Sequence, residues 1–381
     1  MDFNLTEELT LIRDMARDFG EKELLPRAAK FDAQESIDPD VFEKMGELGL
    51  FGLTIPEEYG GAGMGNLALS IVLMEINRCC ASTGVTLSVH NSLLGSPIKR
   101  FGTEEQKAKW LPKLATGELI GAYCLTEPNA GSDAAAIRTT AVRDGDDWIL
   151  DGTKIFVTNG GFAGLFVVYA RTNPDASNAK GISAFLVPKG TPGLTVGKKE
   201  KKLGIRGSST TEILFDKVRV GADALLGEEN KGFPVAMDTL DGGRIGISSQ
   251  AIGIGDACLE AAVKYSKERE QFGRPISAFQ AIQWKIADMS SRLDAARLMV
   301  FRAAALRDEG KRCSREAAQA KLLASTTANY CADECLQIHG GAGYTDDFHV
   351  ERLFRDARIT EIYEGATDIQ RIVIARQVLA G

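Results

Sequence analysis

A chain of 381 residues has room for about two to three domains and a sizeable core. Its 44% hydrophobic and 25% charged residues are those of an ordinary soluble globular protein. A formal net charge of −7 argues against a general nucleic-acid binder, and 7% aromatic content leaves few platforms for stacking single strands.

The first residues, MDFNLTEELTLIRDMARDF, carry acids throughout and no apolar h-region. Neither a secretory signal nor an acid-poor, Arg-rich presequence is expected, and the chain reads as cytoplasmic. From Leu5 to about Leu114 the pattern is helical, with Leu9, Ile12, Ala16 and Phe19 at three- and four-residue spacing. The loop IPEEYGGAGMGN (55–66) interrupts it. Helices resume with LALSIVLMEINRCCAST and TEEQKAKWLPKL, where Thr103 is the expected N-cap. Residues 1–120 are therefore expected to form a helical N-terminal domain.

Between about Tyr123 and Leu226 the period changes. TTAVRDGDDWILDGTKIFV holds two short β-type runs joined by Asp144–Gly145–Asp146, with a third after a turn signal at Asp151–Gly152. LFVVYAR, GISAFLVPKG, LTVGKK and TEILFDKVRV continue at short intervals. A middle β domain over 121–231, a small barrel or sandwich, is expected.

Long Ala-rich periodic segments follow at Ile245–Glu270, Ala278–Glu309 and Ser314–Ile338, predicting a helical bundle over 232–381. The fold class is thus a multidomain α+β protein. No apolar run, Phe162–Ala170 included, is long enough to span a bilayer. Seven cysteines form no CxxC pair. Cys331, Cys335 and His339 fall on one helical face that also reads as core, so buried reduced thiols are expected and no metal. The glycine stretches GGAGMG (60–65) and AIGIGDA (251–257) lack the GxGxxG register and follow no strand, which excludes a Rossmann site.

Five stretches could carry chemistry. YCLTEPNAGSD (123–133) clusters the hydroxyls of Thr126 and Ser132 with the turn formers Pro128, Asn129 and Gly131. Such a turn presents donors to a ring edge or a pyrophosphate, unless it is a plain Asx/Pro turn. KIFVTNGG (154–161) ends a strand on glycines that permit close approach, or simply turns. KEREQFGRP (267–275) sets Lys267, Arg269 and Arg274 around Phe272, either a phosphate contact or a solvated charged face. QIHGGAGY (337–344) reads alone as a helix C-terminus. In ITEIYEGATDIQRI (359–372), Glu364 lies between Tyr363 and Gly365 in apolar company. It is a solvated loop residue, a capping anion or a base kept dry.

Taken together and in this order, these stretches resemble the acyl-CoA dehydrogenases over essentially the whole length. TLDGGRIGISSQAIGIG (239–255) and ITEIYEG are most similar to the short-chain, butyryl-CoA members. The resemblance implies a helical N-terminal domain, a middle β domain, a C-terminal four-helix bundle and non-covalent FAD. Tyr123, Leu125, Thr126 and Ser132 are implied to contact flavin or thioester substrate. Phe156, Val157 and Thr158 would line the isoalloxazine, with Thr158 bonding near N5. Arg269, Gln271, Phe272 and Gln280, together with Gln337, Ile338, His339, Gly340 and Gly341, would reach the FAD of a neighbouring subunit. Ala366 and Asp368 match further cofactor positions. Asp241, Arg244, Gly365 and Ser132 match positions that contact the acyl-CoA. Many members carry threonine where this chain has Ala366, and tryptophan is common where it has Phe156.

Glu364 falls on the catalytic base. The implied reaction, as in fatty-acid β-oxidation, removes an α-proton to Glu364 and passes a β-hydride to flavin N5. Hydrogen bonds to the thioester carbonyl from the Glu364 N–H and the flavin ribityl hydroxyl would stabilise the enolate-like charge. Burial would raise the carboxyl pKa from roughly 4.3 toward the working pH. Electrons would leave to an electron-transferring flavoprotein, from a homo-oligomer that is a tetramer built as a dimer of dimers. The far wall of the acyl chamber is expected from SVHNSLLGSPI (88–98), with Val89, Leu93 and Leu94 as candidates. An acyl-CoA oxidase, marked by rapid peroxide release in air, is the alternative within the fold. A colourless protein unable to take up FAD would instead be a non-catalytic acyl-CoA-binding scaffold.

Overall fold

The computed structural model describes residues 4–176 and 179–380. Residues 1–3, 177–178 and 381, included in the ranges given above, lie outside them.

Seven helices open the chain: α1 (Glu7–Phe19), α2 (Ala28–Gln34), α3 (Pro39–Glu47), α4 (Gly65–Cys79), α5 (Ala81–Ser88), α6 (Ser96–Phe101) and α7 (Glu104–Ala115). Between α5 and α6 the helix continues with π geometry over Val89–Gly95. Thr6 caps α1 by accepting from the Leu9 N–H at 3.2 Å. Thr103 caps α7, and Gln106 completes the reciprocal bond to the Thr103 N–H. The same Gln106 amide donates to the Asp223 and Leu225 carbonyls, which ties the helix to the β region.

The β region contains β1 (Gly121–Cys124), β2 (Thr140–Asp144), β3 (Asp147–Thr158), β4 (Leu165–Arg171), β5 (Ile182–Pro188), β6 (Leu194–Lys199), β7 (Thr210–Val220) and β8 (Leu225–Leu226). They run in the order β6-β7-β3-β2-β4-β5-β8, with β1 parallel to β4. A single pair, Thr140 with Arg171, joins β2 to β4. Alternate residues of β4 and β5 enter different cores. Phe166, Val168, Phe185 and Val187 meet Trp148, Leu150 and Ile213 of β3 and β7. Leu165, Val167, Ala184 and Leu186 meet Leu94, Trp110 and Leu111 of the helical region and Val235 beyond the sheet. Both faces of this hairpin are covered, as continuous apolar strands require.

Asp151–Gly152 is not a turn. β3 runs through it with a shift of register against β7, a bulge at which Gly152 takes φ +148°. A Cβ there would lie 2.6 Å from Thr139 Oγ1. The sequence signal for a glycine-dependent backbone was real, but the pairing partner makes it a bulge.

The last region holds α8 (Gly232–Glu268), the hairpin strands β9 (Glu270–Gln271) and β10 (Arg274–Pro275), α9 (Gln280–Asp308), α10 (Ser314–His339), α11 (Gly341–Tyr344), α12 (Val350–Arg358) and α13 (Thr367–Leu379). α8 begins well before the expected Ile245. Its residues 241–255 are all buried, so no amphipathic stripe marks them. Small residues make that burial workable: a Cβ on Gly253 would fall 2.3 Å from the Met74 carbonyl of α4. Among the described residues no helix is long and apolar enough to cross a membrane.

Candidate active site

Glu364 sits in the loop between α12 and α13, in a left-handed conformation (φ 50°), followed by Gly365 at φ 92°. The loop presses the carboxylate against α8. A Cβ on Gly243 would lie 2.2 Å from Glu364 Oε2 and 2.8 Å from Leu93 Cδ2. Gly243 therefore makes the slot, and Leu93, from the π-helical stretch, forms its other side. Of the three candidate wall residues, Leu93 is the one placed here. Leu94 turns away to cover Gly121.

Glu364 Oε2 is buried without a hydrogen-bond partner. Burial lifts the carboxyl pKa to about 7, opposed by the positive charges of Lys321 and then Arg244. The Glu364 backbone N–H donates to no acceptor among the described residues, so the loop offers a free donor beside a dry acceptor. Arg244 is buried on α8 and donates to Asp241 at 2.6 Å, while its Nε has no partner. Ser314 Oγ donates to the other Asp241 oxygen at 2.5 Å. Tyr363 donates to Gln250 Oε1, and Gln250 in turn donates to the Ala81 carbonyl at 3.1 Å. Tyr123, on β1, has a buried hydroxyl whose pKa is raised by burial and by the adjacent Tyr169 hydroxyl, with Glu364 raising it further and Arg244 opposing. Glu364, Gly365, Asp241, Arg244 and Tyr123 thus form one constellation.

The 123–133 turn is held from below. Lys154, fully buried, donates to Glu127 Oε1 at 2.7 Å and to the Leu125 carbonyl at 3.1 Å. Glu127 also accepts from the Arg138 and Thr139 amides at 2.6 and 2.9 Å. With four polar contacts made, this buried pair meets the condition under which such pairs are tolerated. Above it, Leu125 is buried, Thr126 is half-buried and Ser132 is exposed.

Asn159 (φ 67°) locks the adjoining strand end by donating to the Thr86 and Gly121 carbonyls at 3.1 and 3.0 Å. Val157 is buried and Thr158 half-buried. Phe156, at φ 56°, keeps its ring 60% exposed. An outward aromatic on a strained backbone, at a strand end held by Asn159, fits the edge of a planar ring cofactor such as a flavin.

The remaining candidates form a second group. β9 and β10 make a tight hairpin whose turn residues, Phe272 and Gly273, have φ of 54° and 74°. Arg269, Gln271 and Gln280 are exposed, and Phe272 is 92% exposed. Gln337, Gly340 and Gly341 are exposed as well. Ile338 and His339 face inward: the His339 ring stacks on Tyr265 with centroids 4.2 Å apart, and its Nδ1 meets the Cys335 carbonyl at 2.8 Å. Tyr265 joins the two segments, since its carbonyl also accepts from the Arg269 N–H. Ala366 stands at the N-cap of α13 and supplies no side-chain cap. Asp368 is exposed and pairs with Arg371 at 3.0 Å. Among the described residues no hydrogen bond, ion pair or ring contact links the Tyr265 group to the Glu364 constellation.

Sequence reasoning passed over Lys154, Glu127, Asn159, Gly243, Gln250 and Lys321. Each is explained only by a partner distant in sequence, which no local pattern announces.

Three family models match the chain: acyl-CoA dehydrogenase N-terminal domain over residues 6–118, middle domain over 122–218 and C-terminal domain over 230–379. The mitochondrial short-chain specific acyl-CoA dehydrogenase of Bos taurus is 52% identical over 375 residues, covering 98% of this chain and 91% of the relative. Butyryl-CoA dehydrogenase from Megasphaera elsdenii superposes with a TM-score of 0.98 at 45% identity, both chains covered in full. A chain from a structure of the electron transferring flavoprotein of Acidaminococcus fermentans, concerned with flavin-based electron bifurcation, gives 0.98 at 49% identity, again with both chains covered in full.

Gly243→Ala tests the slot. Both near atoms end side chains, so the fold should survive while the carboxylate is pushed aside. A crystal structure of the variant should show Glu364 displaced, and turnover should fall about 10²-fold.

Proposed function

The chain belongs to the acyl-CoA dehydrogenases, oxidoreductases that use FAD, and from that premise we propose that it oxidises a short-chain acyl-CoA of the butyryl kind, with Glu364 as the base. The observation that carries this reading is the Glu364 carboxylate itself, dry, unpartnered at Oε2 and pressed between Gly243 and Leu93. FAD, when bound, supplies the acceptor for the hydride leaving the β carbon.

The protein's own residues handle the other hydrogen. A thioester carbonyl placed against the Glu364 N–H gains a donor where negative charge develops, which acidifies the α-C–H. Glu364 Oε2 then takes the α-proton and becomes a neutral carboxyl, the form its buried setting favours. Arg244, anchored by Asp241, which in turn accepts from Ser314, lines the same space. Tyr123, Leu125, Thr126 and Ser132, with Phe156, Val157 and Thr158, would hold the cofactor. Leu93 would close the acyl chamber after a few methylenes, each worth roughly 0.8 kcal/mol of burial. Electron exit to an electron-transferring flavoprotein is supported by the absence of a nicotinamide fingerprint in this chain.

Assembly belongs to the same reading. Phe272, Trp284 (65%) and Leu379 (86%) are too exposed for an isolated subunit, and Arg269 is exposed on the same hairpin segment. A homo-oligomer, a tetramer made as a dimer of dimers, would cover them and let each hairpin and the Gln337–Gly341 segment serve a neighbour's FAD.

Anaerobic titration with straight, branched and cyclic acyl-CoAs, followed by flavin bleaching, tests the substrate. Butyryl-CoA should bleach with higher efficiency than octanoyl-CoA; the reverse order would sink the short-chain reading.

Glu364→Gln should keep FAD and acyl-CoA affinity while slowing bleaching by at least about 10²-fold. In the parent the base must be ionised, so the rate should rise with pH through about 7 and then level. The raised pKa also has a stability sign. The folded form holds a proton that the unfolded chain releases, so the parent loses stability as pH rises toward 7 and the Gln variant does not. Calorimetry should find the variant more stable than its parent at pH 8, with no such gain near pH 4.

Arg269→Ala should shed FAD while its subunits stay folded. A monomer by sedimentation that retains stoichiometric FAD would overturn the shared-site arrangement.

A further inference from the structure

Lys321 is fully buried on α10, and no aspartate or glutamate among the described residues lies within ion-pair distance of it. Its ammonium donates to the Thr360 carbonyl at 3.0 Å and to the Gly365 carbonyl at 2.7 Å. Those carbonyls mark the two ends of loop 360–365, which carries Glu364. Gln370 adds a second donor to the Gly365 carbonyl at 2.7 Å.

Glu364 and Gly365 hold successive left-handed conformations, which persist only where neighbours over-determine them. One cation bridging the loop ends is such a determinant. An ammonium has three donors, and two serve these carbonyls. Its charge is cancelled by no adjacent carboxylate, and the nearest uncompensated acid in the site is Glu364.

The other groups around Glu364 leave that part to Lys321. Arg244 of α8 is already paired with Asp241. Glu361, on the loop, is paired with Arg358. Tyr123 of β1 and Tyr363 are phenols that burial holds neutral. We infer that Lys321 is a positioning residue for the reaction, clamping both ends of the base-bearing loop and keeping the Glu364 carboxylate ionised in its dry setting. The charges act on each other as this requires: Lys321 is the foremost influence opposing the burial of Glu364, and Glu364 the foremost opposing that of Lys321, whose pKa is down at about 8. The inference rests on Glu364 being the base.

A lysine that merely plugged two carbonyls would leave the pH profile alone, and this separates the roles. Lys321→Met and Lys321→Arg holoenzymes are compared with the parent for butyryl-CoA-driven bleaching from pH 6 to pH 9.5. The Met variant should move the midpoint up from about 7 by about one pH unit, a loss of about eightfold at pH 6.5 that is recovered at high pH. The Arg variant should keep the parent's midpoint. A readout without turnover accompanies it: the pH 8 stability gain from Glu364→Gln should be larger in the Lys321→Met background.

An unmoved midpoint in the Met variant, or loss of FAD from both variants, would leave the lysine a structural role only and overturn the inference. Failure of the base reading looks different, because Glu364→Gln would then bleach as fast as the parent whatever stands at position 321.

Discussion

A carboxylate can be kept dry at the end of a loop only if every other polar group of that loop is satisfied without reaching for it. Here the Thr360 and Gly365 carbonyls converge on Lys321, Gly365 takes a second bond from Gln370, and Thr360 Oγ1 returns to the Ala357 carbonyl at 2.7 Å. Glu364 Oε2 and the Glu364 backbone N–H, by contrast, have no partner among the described residues. An acceptor and a donor on one residue, both free and sharing one strained turn, are what the proposed base reading of Glu364 rests on.

The rest of the architecture serves that placement. α8 passes behind the loop with glycine at 243, so the carboxylate approaches helix backbone rather than a side chain. The helix can be buried on all sides because small residues such as Gly253 let α4 come close. On the opposite side, the Lys154–Glu127 pair fixes the 123–133 turn and Asn159 fixes the strand that presents Phe156. Two regions of different secondary structure are thereby held rigid against one cleft, the arrangement a reaction sensitive to ångström displacements requires.

Much of this was legible in the sequence, and the exceptions have a common cause. Change of period separates helical from β regions because each period reflects which residues face a core. The 123–133 and 154–161 turns announced themselves through Pro, Asn and Gly. α8 starts at Gly232 rather than Ile245, in a stretch where Pro234 and the Gly242–Gly243 pair weaken the helical signal although the region is expected to be helical from 232. Asp151–Gly152 was misjudged because a glycine reports a backbone need without saying whether a turn or a bulge meets it. Lys321 and Lys154 were missed for a deeper reason: each is explained only by acceptors 27 to 44 residues away in sequence. Their role lies in the convergence, which no local pattern encodes.

The π-helical stretch Val89–Gly95 shows how one irregularity sets two surfaces at once. Extra backbone per turn rotates successive side chains out of helical register, so the neighbours Leu93 and Leu94 face different regions. Leu94 closes on Gly121 at the base of β1, where a Cβ would meet its Cδ2 at 2.1 Å. Leu93 instead reaches Gly243 beside the Glu364 carboxylate. A regular helix would also separate adjacent residues, but it would place His90 differently. In this stretch the His90 imidazole is buried between the Leu114 carbonyl at 3.0 Å and the Gly121 N–H at 3.2 Å, and burial holds its pKa down at about 4. A neutral ring, accepting on one nitrogen and donating from the other, thus pins the stretch to β1 and α7. The position of Leu93 beside Glu364 is therefore set by a hydrogen-bonded frame behind it as much as by the bulk of the leucine itself.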